Sequence, residues 1–185
     1  SGATESNNTA IFGAYKAHGK RKKRVVISSV EHPAVKNPAQ ELEDMGCEVV
    51  RISPDENGEI NARDIFAAVN EDTFLVSCML VNNENGYILP VEKAFSMIKK
   101  KYPQVLTHCD CVQGFMKIPV KAKKLNADMI SLSGHKIYAP KGIGALYVKK
   151  GIHIPPFMLG GGQEKGFRSG TESVPLICGF EIGRA

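Results

Sequence analysis

The chain has 185 residues, of which 43% are hydrophobic and 23% are charged, and its net charge is +5. This composition is typical of a folded globular protein and excludes a disordered or collagen-like chain. No run of about 18 apolar residues occurs, and no basic start precedes an apolar run, so neither a transmembrane helix nor a signal peptide is predicted.

Much of the positive charge lies in two groups, five consecutive basic residues at 20–24 and four lysines between 117 and 124. A basic run can bind nucleic acid. No aromatic residues interleave the 20–24 run, however, and no zinc-finger or RNA-binding motif accompanies it. We therefore interpret it as a solvated loop, and we expect neither nucleic acid nor a membrane as a partner.

Strand-like and helix-like segments alternate along the chain. Short runs rich in β-branched and apolar residues predict strands at 25–29, 47–52, 73–80, 105–109, 128–132 and 143–148. Helices are predicted at 33–45, from Asn61 to about residue 70, at 91–101, at 120–125 and from near Pro175. The alternation, with several strands apolar throughout, predicts a three-layer α/β/α fold with a mostly parallel sheet.

The cysteine pattern argues against a disulfide scaffold. The five cysteines are an odd number in a chain that is not short, which favours a reducing compartment, so a cytoplasmic location is expected. Cys109 and Cys111 form a C-x-C pair without a second pair, so no metal site is predicted. Both are interpreted as small buried thiols, and Cys178 as a core residue.

Polar residues follow four of the predicted strands. They are His32 after the first, Asn83 after the third, Asp110 and Gln113 after the fourth, and Ser133, His135 and Lys136 after the fifth. In a parallel α/β sheet, ligands bind beyond the carboxyl ends of the strands. One such residue is weak evidence, but four sets in succession predict a functional site at this edge.

These residue types fit the chemistry of a pyridoxal phosphate site. A partly desolvated lysine amine such as that of Lys136 can form a Schiff base, and an aspartate such as Asp110 can keep a pyridine nitrogen protonated. An imidazole can stack on the ring and move protons. The opening segment, residues 1–7, is predicted to be a glycine turn into a helix N-terminus, where free N–H groups favour a phosphate. Together they predict a pyridoxal 5′-phosphate (PLP) site.

Seven ordered motifs also resemble the cysteine desulfurases, in their NifS/IscS-like form, within the class V aminotransferase family. The motifs are 1–8 (SGATESNN), 31–32 (EH), 81–84 (VNNE), 108–113 (HCDCVQ), 131–138 (SLSGHKIY), 140–147 (PKGIGALY) and 160–164 with 168–171 (GGGQE, RSGT). The resemblance covers essentially the whole chain. It implies the large domain of a PLP-dependent transferase, similar to aspartate aminotransferase, over residues 1–185.

The resemblance also implies a role for each matching residue. Lys136 would be the Schiff-base lysine, and His32 would stack on the ring and transfer protons. Asp110 would pair with the ring nitrogen, with Asn83 and Gln113 near the phenolic oxygen. The phosphate would be held by Ala3, Thr4, Ser133 and His135, and Thr171 would reach the cofactor of the neighbouring subunit in a homodimer.

The implied reaction converts L-cysteine to L-alanine and passes the sulfur to an enzyme cysteine as a persulfide. The sulfur would then go to an acceptor or iron–sulfur scaffold protein. Because the family is about twice as long, we expect its N-terminal segment and its small domain, with the catalytic cysteine, to be absent and the isolated piece to be inactive. Two alternatives stay open: a selenocysteine lyase or other class V enzyme, and, remotely, a non-catalytic binding module using the 20–24 cluster.

Overall fold

Six strands form one sheet in the computed structural model, which describes residues 1–184. The strands are Arg24–Ser28 (β1), Glu48–Ile52 (β2), Thr73–Ser77 (β3), Leu106–Asp110 (β4), Met129–Ser133 (β5) and Gly144–Val148 (β6). The α-helices are Ala3–His18 (α1), Pro33–Asp44 (α2), Ala62–Ala67 (α3), Val91–Lys101 (α4), Ala122–Leu125 (α5) and Val174–Arg184 (α6). Short 3₁₀ helices lie at Gly134–Ile137 and Glu164–Gly166.

The strand order is β2-β1-β3-β4-β5-β6, and only the β5–β6 pair is antiparallel. The chain moves from β1 outward to β2 and then returns across β1 to β3. This reversal places a topological switch point between β1 and β3, which is where parallel α/β sheets open a crevice for ligands.

Helices cover both faces of the sheet and confirm the predicted three layers. On one face, buried residues of α1 and α2, among them Ile11 and Leu42, pack with Phe74 of β3. On the other face, α3, α4 and α5 pack around Phe95, which is fully buried. The parallel strands β3 and β4 are buried along their whole length, as expected between two helical layers.

Predicted and observed boundaries differ most for α3 and β3. Helix α3 ends at Ala67, because the Asn70 side chain accepts hydrogen bonds from the backbone N–H of Asp72 and from Thr73 Oγ1 and starts a turn. Strand β3 ends at Ser77 and not at residue 80. Residues 78 and 80 still donate to carbonyls of β4, but the neighbouring β1 ends at Ser28 and leaves residue 79 without a strand partner.

The thiols follow the prediction except at one position. Cys109 and Cys111 are fully buried with their sulfur atoms 3.4 Å apart, and the five cysteines are free. The prediction that Cys178 belongs to the core is wrong, since its side chain is exposed. Its helix, α6, packs on the short 3₁₀ helix after β5, and that contact leaves position 178 on the outer side.

The basic 20–24 segment lies at the amino end of β1, at the edge of the sheet opposite the carboxyl ends. Lys22 Nζ donates to the Glu71 carbonyl at 2.6 Å, and Arg24 pairs with Glu48. Two of the five basic side chains are therefore engaged by neighbouring residues of the fold. Separately, none of the helices within residues 1–184 has both the length and the apolar character needed to cross a bilayer.

Gly144 brings β6 against the start of α1 and cannot be enlarged without displacing backbone. A Cβ at this position would lie 2.7 Å from Gly2 Cα and 2.8 Å from the Leu132 carbonyl oxygen. Gly144→Ala should therefore lower the free energy of unfolding by about 2 kcal/mol, measured from denaturant midpoints. Gly13→Ala is the control and should cost less, because the three atoms nearest to its new Cβ all belong to the Ile154 side chain and lie 3.0 Å or more away. Equal stability of wild type and Gly144→Ala would contradict this prediction.

Candidate functional site

The predicted polar residues meet in one cavity at the carboxyl edge of the sheet. The cavity has a volume of about 470 Å³. Its lining includes every residue predicted for the site except Thr171, namely Ala3, Thr4, His32, Asn83, Asp110, Gln113, Ser133, His135 and Lys136. A larger cavity of about 660 Å³ beside the start of α4 is lined mainly by apolar side chains and contains none of these residues.

The N-terminus of α1 forms one wall of this cavity. Helix α1 has 16 residues, and its N-cap residue Gly2 has no side chain to satisfy the first N–H groups. The Gly2 end of the helix faces β5, where a Cβ at this position would lie in van der Waals contact with Ser133 Oγ at 3.9 Å. Ser133 Oγ in turn contacts His135 Nδ1 at 2.8 Å. Open backbone donors beside a hydroxyl, an imidazole and a lysine suit an anion such as phosphate.

Asp110 ends β4 at the floor of the cavity and is nearly fully buried. Its Oδ1 accepts the backbone N–H of Val112 at 2.9 Å, and its Oδ2 accepts Asn7 Nδ2 at 2.8 Å. Burial raises the pKa of this carboxyl, and the two hydrogen bonds oppose that rise. Asp110 is therefore a fixed, partly desolvated carboxylate with its two oxygens held in place.

Asn7 is a site residue that the sequence reasoning missed. Its side chain is fully buried, lines the cavity and contacts Asp110, while its Oδ1 has no partner among the described residues. Asn7 lies four residues after Ala3, which places both on one face of α1. Asn7 already lies in the predicted opening segment, residues 1–7, and its helical spacing from Ala3 is the signal that could have identified it.

His32 is oriented by the helix that it begins. Its Nδ1 accepts the backbone N–H of Ala34 at 3.1 Å, so the imidazole is the N-cap of α2, and Pro33 follows at the first helical position. A backbone N–H can only donate, so Nδ1 carries the lone pair and Nε2 carries the hydrogen in the neutral ring. In this arrangement the neutral ring presents Nε2–H as a hydrogen-bond donor, and Nε2 can accept a proton only after Nδ1 releases the Ala34 N–H and takes up a hydrogen itself.

Glu31 joins the ends of β1 and β3 beneath the cavity. Its Oε1 accepts hydrogen bonds from Ser28 Oγ and, at 2.7 Å, from the backbone N–H of Met79, the group that β1 leaves unpaired. Its Oε2 is buried and has no partner among the described residues. Burial raises the pKa of this carboxyl to about 8, which favours the neutral form at pH 7. Through these hydrogen bonds, Glu31 links the segment that carries His32 to the segment that leads to Asn83.

Three predicted residues are placed less directly. Asn83 donates to Glu84 Oε1 at 2.7 Å, and Gln113 accepts from Lys117 Nζ at 3.0 Å, so both amides contact surface neighbours at the cavity rim. Thr171 is exposed and lies outside the cavity. Within one copy of the chain, the structure therefore does not bring Thr171 to the other predicted residues.

The fold and this polar edge together define an α/β protein with a candidate ligand site at the carboxyl edge of its sheet. The family model for aminotransferase class-V matches residues 1–183. The chain belongs to this family.

Individual relatives agree with this family assignment. Cysteine desulfurase IscS 1 of Archaeoglobus fulgidus is 43% identical over 180 residues, which are 97% of this chain and 46% of that protein. A structure titled NifS-like protein superposes with a TM-score of 0.95 at 41% identity, covering 100% of this chain and 50% of that one. SspA in complex with cysteine superposes with a TM-score of 0.94 at 39% identity, covering 99% and 53%. The chain thus spans about half the length of the relatives it matches.

Proposed function

We propose that the chain is the PLP-binding large domain of a cysteine desulfurase. The observation that carries the proposal is the meeting of His32, Asp110, Lys136 and the open end of α1 in one cavity. The matched relatives named cysteine desulfurase, and the similar structure of SspA with cysteine, support the same activity.

The residues present fit PLP on three observations. The uncapped N-terminus of α1, with Ala3, Thr4, Ser133 and His135, offers hydrogen-bond donors and the partial positive charge of a helix end to a phosphate. Asp110 offers a carboxylate that a protonated ring nitrogen can pair with. The unpartnered Oδ1 of Asn7 marks a further polar atom at the same wall. When bound, PLP supplies an electron sink for the charge that develops at the α carbon of an amino acid.

The chain's own residues would hold the cofactor and move protons around it. Lys136 would hold it through its amine, and Asp110 would keep the ring nitrogen protonated. Asn83 and Gln113 would hydrogen-bond near the phenolic oxygen once their amides turn inward from the rim. Lys136 and His32 are the two groups that we propose to carry protons to and from the substrate, with His32 accepting at Nε2 once its Nδ1 releases the Ala34 N–H.

The proposed overall reaction takes L-cysteine to L-alanine and leaves the sulfur on a cysteine of the full-length enzyme as a persulfide. An acceptor protein or an iron–sulfur scaffold would then receive the sulfur. The proposal includes a homodimer in which the exposed Thr171 reaches the phosphate bound by the other copy. The cytoplasmic location expected from the sequence stays a prediction.

The experiment that tests the function is the visible absorbance spectrum of the full-length protein after PLP is added. Wild type should develop a visible band that L-cysteine alters, and Lys136→Ala should develop none, because its side chain has no amine to attach the cofactor. Lys141→Ala is the matched control, since Lys141 follows Lys136 in the next loop and does not line the cavity. A colourless wild-type protein, or a band that persists in Lys136→Ala, would contradict the proposal.

A further inference from the structure

An ion pair joins the first turn of α1 to a segment more than 160 residues away. Arg168 donates from Nε to Glu5 Oε1 at 2.7 Å and from Nη2 to Glu5 Oε2 at 3.1 Å. This two-pronged geometry is the strongest form of an arginine–carboxylate contact. The Glu5 side chain is only 15% exposed, and the contact with Arg168 is the main cause that lowers its pKa to about 2. The pair is therefore charged at any physiological pH.

Arg168 belongs to a loop that is closed by its own hydrogen bonds. In this loop, residues 158–170, the N–H of Ser169 donates to the Met158 carbonyl at 3.4 Å, and the N–H of Gly170 donates to Gln163 Oε1 at 2.9 Å. Within the loop, Ser169 is buried. Because the loop is tied across its base, an anchor on Arg168 fixes the loop as a unit.

The two ends of the ion pair lie next to two different proposed phosphate contacts. Glu5 directly follows Ala3 and Thr4, in the helix turn that would hold the phosphate of its own copy. Arg168 precedes the exposed Thr171 by three residues, and in the proposed dimer Thr171 faces the phosphate of the other copy. The ion pair thus connects the helix turn that would bind the phosphate in one subunit with the segment that would contact the phosphate in the other subunit.

We propose that the Glu5–Arg168 ion pair is a positioning contact, which fixes the 158–170 loop against α1 so that Thr171 is held ready for the cofactor phosphate of the partner copy. The inference rests on the proposed PLP site. It predicts an effect in trans: breaking the pair in one subunit should weaken PLP binding in the other. If the pair only balanced charge beside the phosphate site of its own subunit, breaking it would weaken PLP binding in that same subunit, which is an effect in cis.

Hybrid dimers separate these two effects. One subunit carries Lys136→Ala, so that only the other subunit, with its intact lysine, attaches PLP. Arg168→Gln is then placed in either subunit, and the dissociation constant for PLP is measured from the absorbance of the intact site. Placed in the Lys136→Ala subunit, it should raise the constant about tenfold; placed in the intact subunit, it should leave the constant nearly unchanged.

Two further variants define the contact. Arg168→Lys keeps the positive charge but loses the two-pronged contact with Glu5. Its affinity for PLP should therefore lie between those of wild type and Arg168→Gln. Glu43→Gln is the matched control, because Glu43 forms a similar two-pronged pair with Arg51 at 2.7 Å and 3.1 Å away from the site. A rise in the dissociation constant in cis, or none in either arrangement, would overturn the proposal.

A measurement without cofactor keeps this inference separate from the PLP assignment. Lys165 is exposed in the loop, and trypsin cleaves after it when the loop opens. In cofactor-free full-length protein, Glu5→Gln and Arg168→Gln should both speed this cleavage, while cleavage in the 20–24 segment stays constant as the internal reference. If wild type bound no PLP, the proposed function would fail, and unchanged cleavage at Lys165 would by itself overturn the positioning contact.

Discussion

Asp110→Asn should lower the turnover of L-cysteine by the full-length protein by about a hundredfold or more. The substitution keeps the volume of the side chain but removes the negative charge that would hold the ring nitrogen protonated. It also sets an amide against Asn7, whose Nδ2 donates to Asp110 Oδ2 at 2.8 Å and would lose its charged acceptor. The loss should fall on the rate constant, because the charge acts on the developing transition state.

The absorbance of bound PLP gives a second measurement of the same change. In Asp110→Asn the visible band should shift and depend on pH where the wild-type band does not, since the ring nitrogen then exchanges its proton with solvent. Asp128→Asn is the control. Asp128 is equally buried but lies at the opposite end of the sheet, where it pairs with Lys99, so its loss should lower stability and leave the spectrum alone. Wild-type turnover in Asp110→Asn would contradict the role assigned to this carboxylate.

Glu31→Gln should make the protein more stable than wild type at pH 8, even though it replaces a hydrogen-bonded carboxyl. The pKa of Glu31 is raised from 4.5 to about 8 by burial, and the nearby Asp110 adds to the rise while Lys36 opposes it. Between these values the folded state holds a proton that the unfolded state has lost, so wild-type stability falls as pH rises through this window. Glutamine resembles the protonated form and does not titrate.

The measurement is the difference in unfolding free energy between Glu31→Gln and wild type across pH. The difference should be flat below about pH 4.5, grow in favour of the variant up to about pH 8 and reach a few kcal/mol. Glu41→Gln, at an exposed position of α2, should show no such growth. Parallel curves for Glu31→Gln and wild type would show that the carboxyl is not held neutral by the fold.

His108 acts in the opposite direction, which is why the difference measurement is needed. Its ring lies fully buried between Ser77 Oγ at 2.8 Å and Ser131 Oγ at 2.9 Å, and burial lowers its pKa to about 3. Between about pH 3 and 6.5 the unfolded state binds a proton at this histidine and the folded state does not, so the free energy of unfolding rises with pH in this window. The two groups overlap in the window between pH 4.5 and 6.5, where their contributions oppose each other.

The sequence by itself determined the layers, the mostly parallel direction of the strands and most of the residues that line the candidate site. Runs of β-branched residues and helical periodicity are local, so they predicted α4 at its observed bounds and the six strands within a few residues, although only the start of α1 was predicted. The site followed because parallel strands place the residues after them at one edge. His32, Asn83, Asp110 and Lys136 could therefore be named from their positions after predicted strands.

Only the tertiary structure decided contacts between residues distant in sequence. Asn7 contacts Asp110, which is 103 residues away in sequence, and Arg168 contacts Glu5, which is 163 residues away. Glu31 accepts the backbone N–H of Met79, which has no strand partner because β1 ends at Ser28. Likewise, the exposure of Cys178 depends on what packs over α6 and not on the apolar residues around it. Local patterns fix which groups each element carries, whereas burial and pairing depend on how the elements pack.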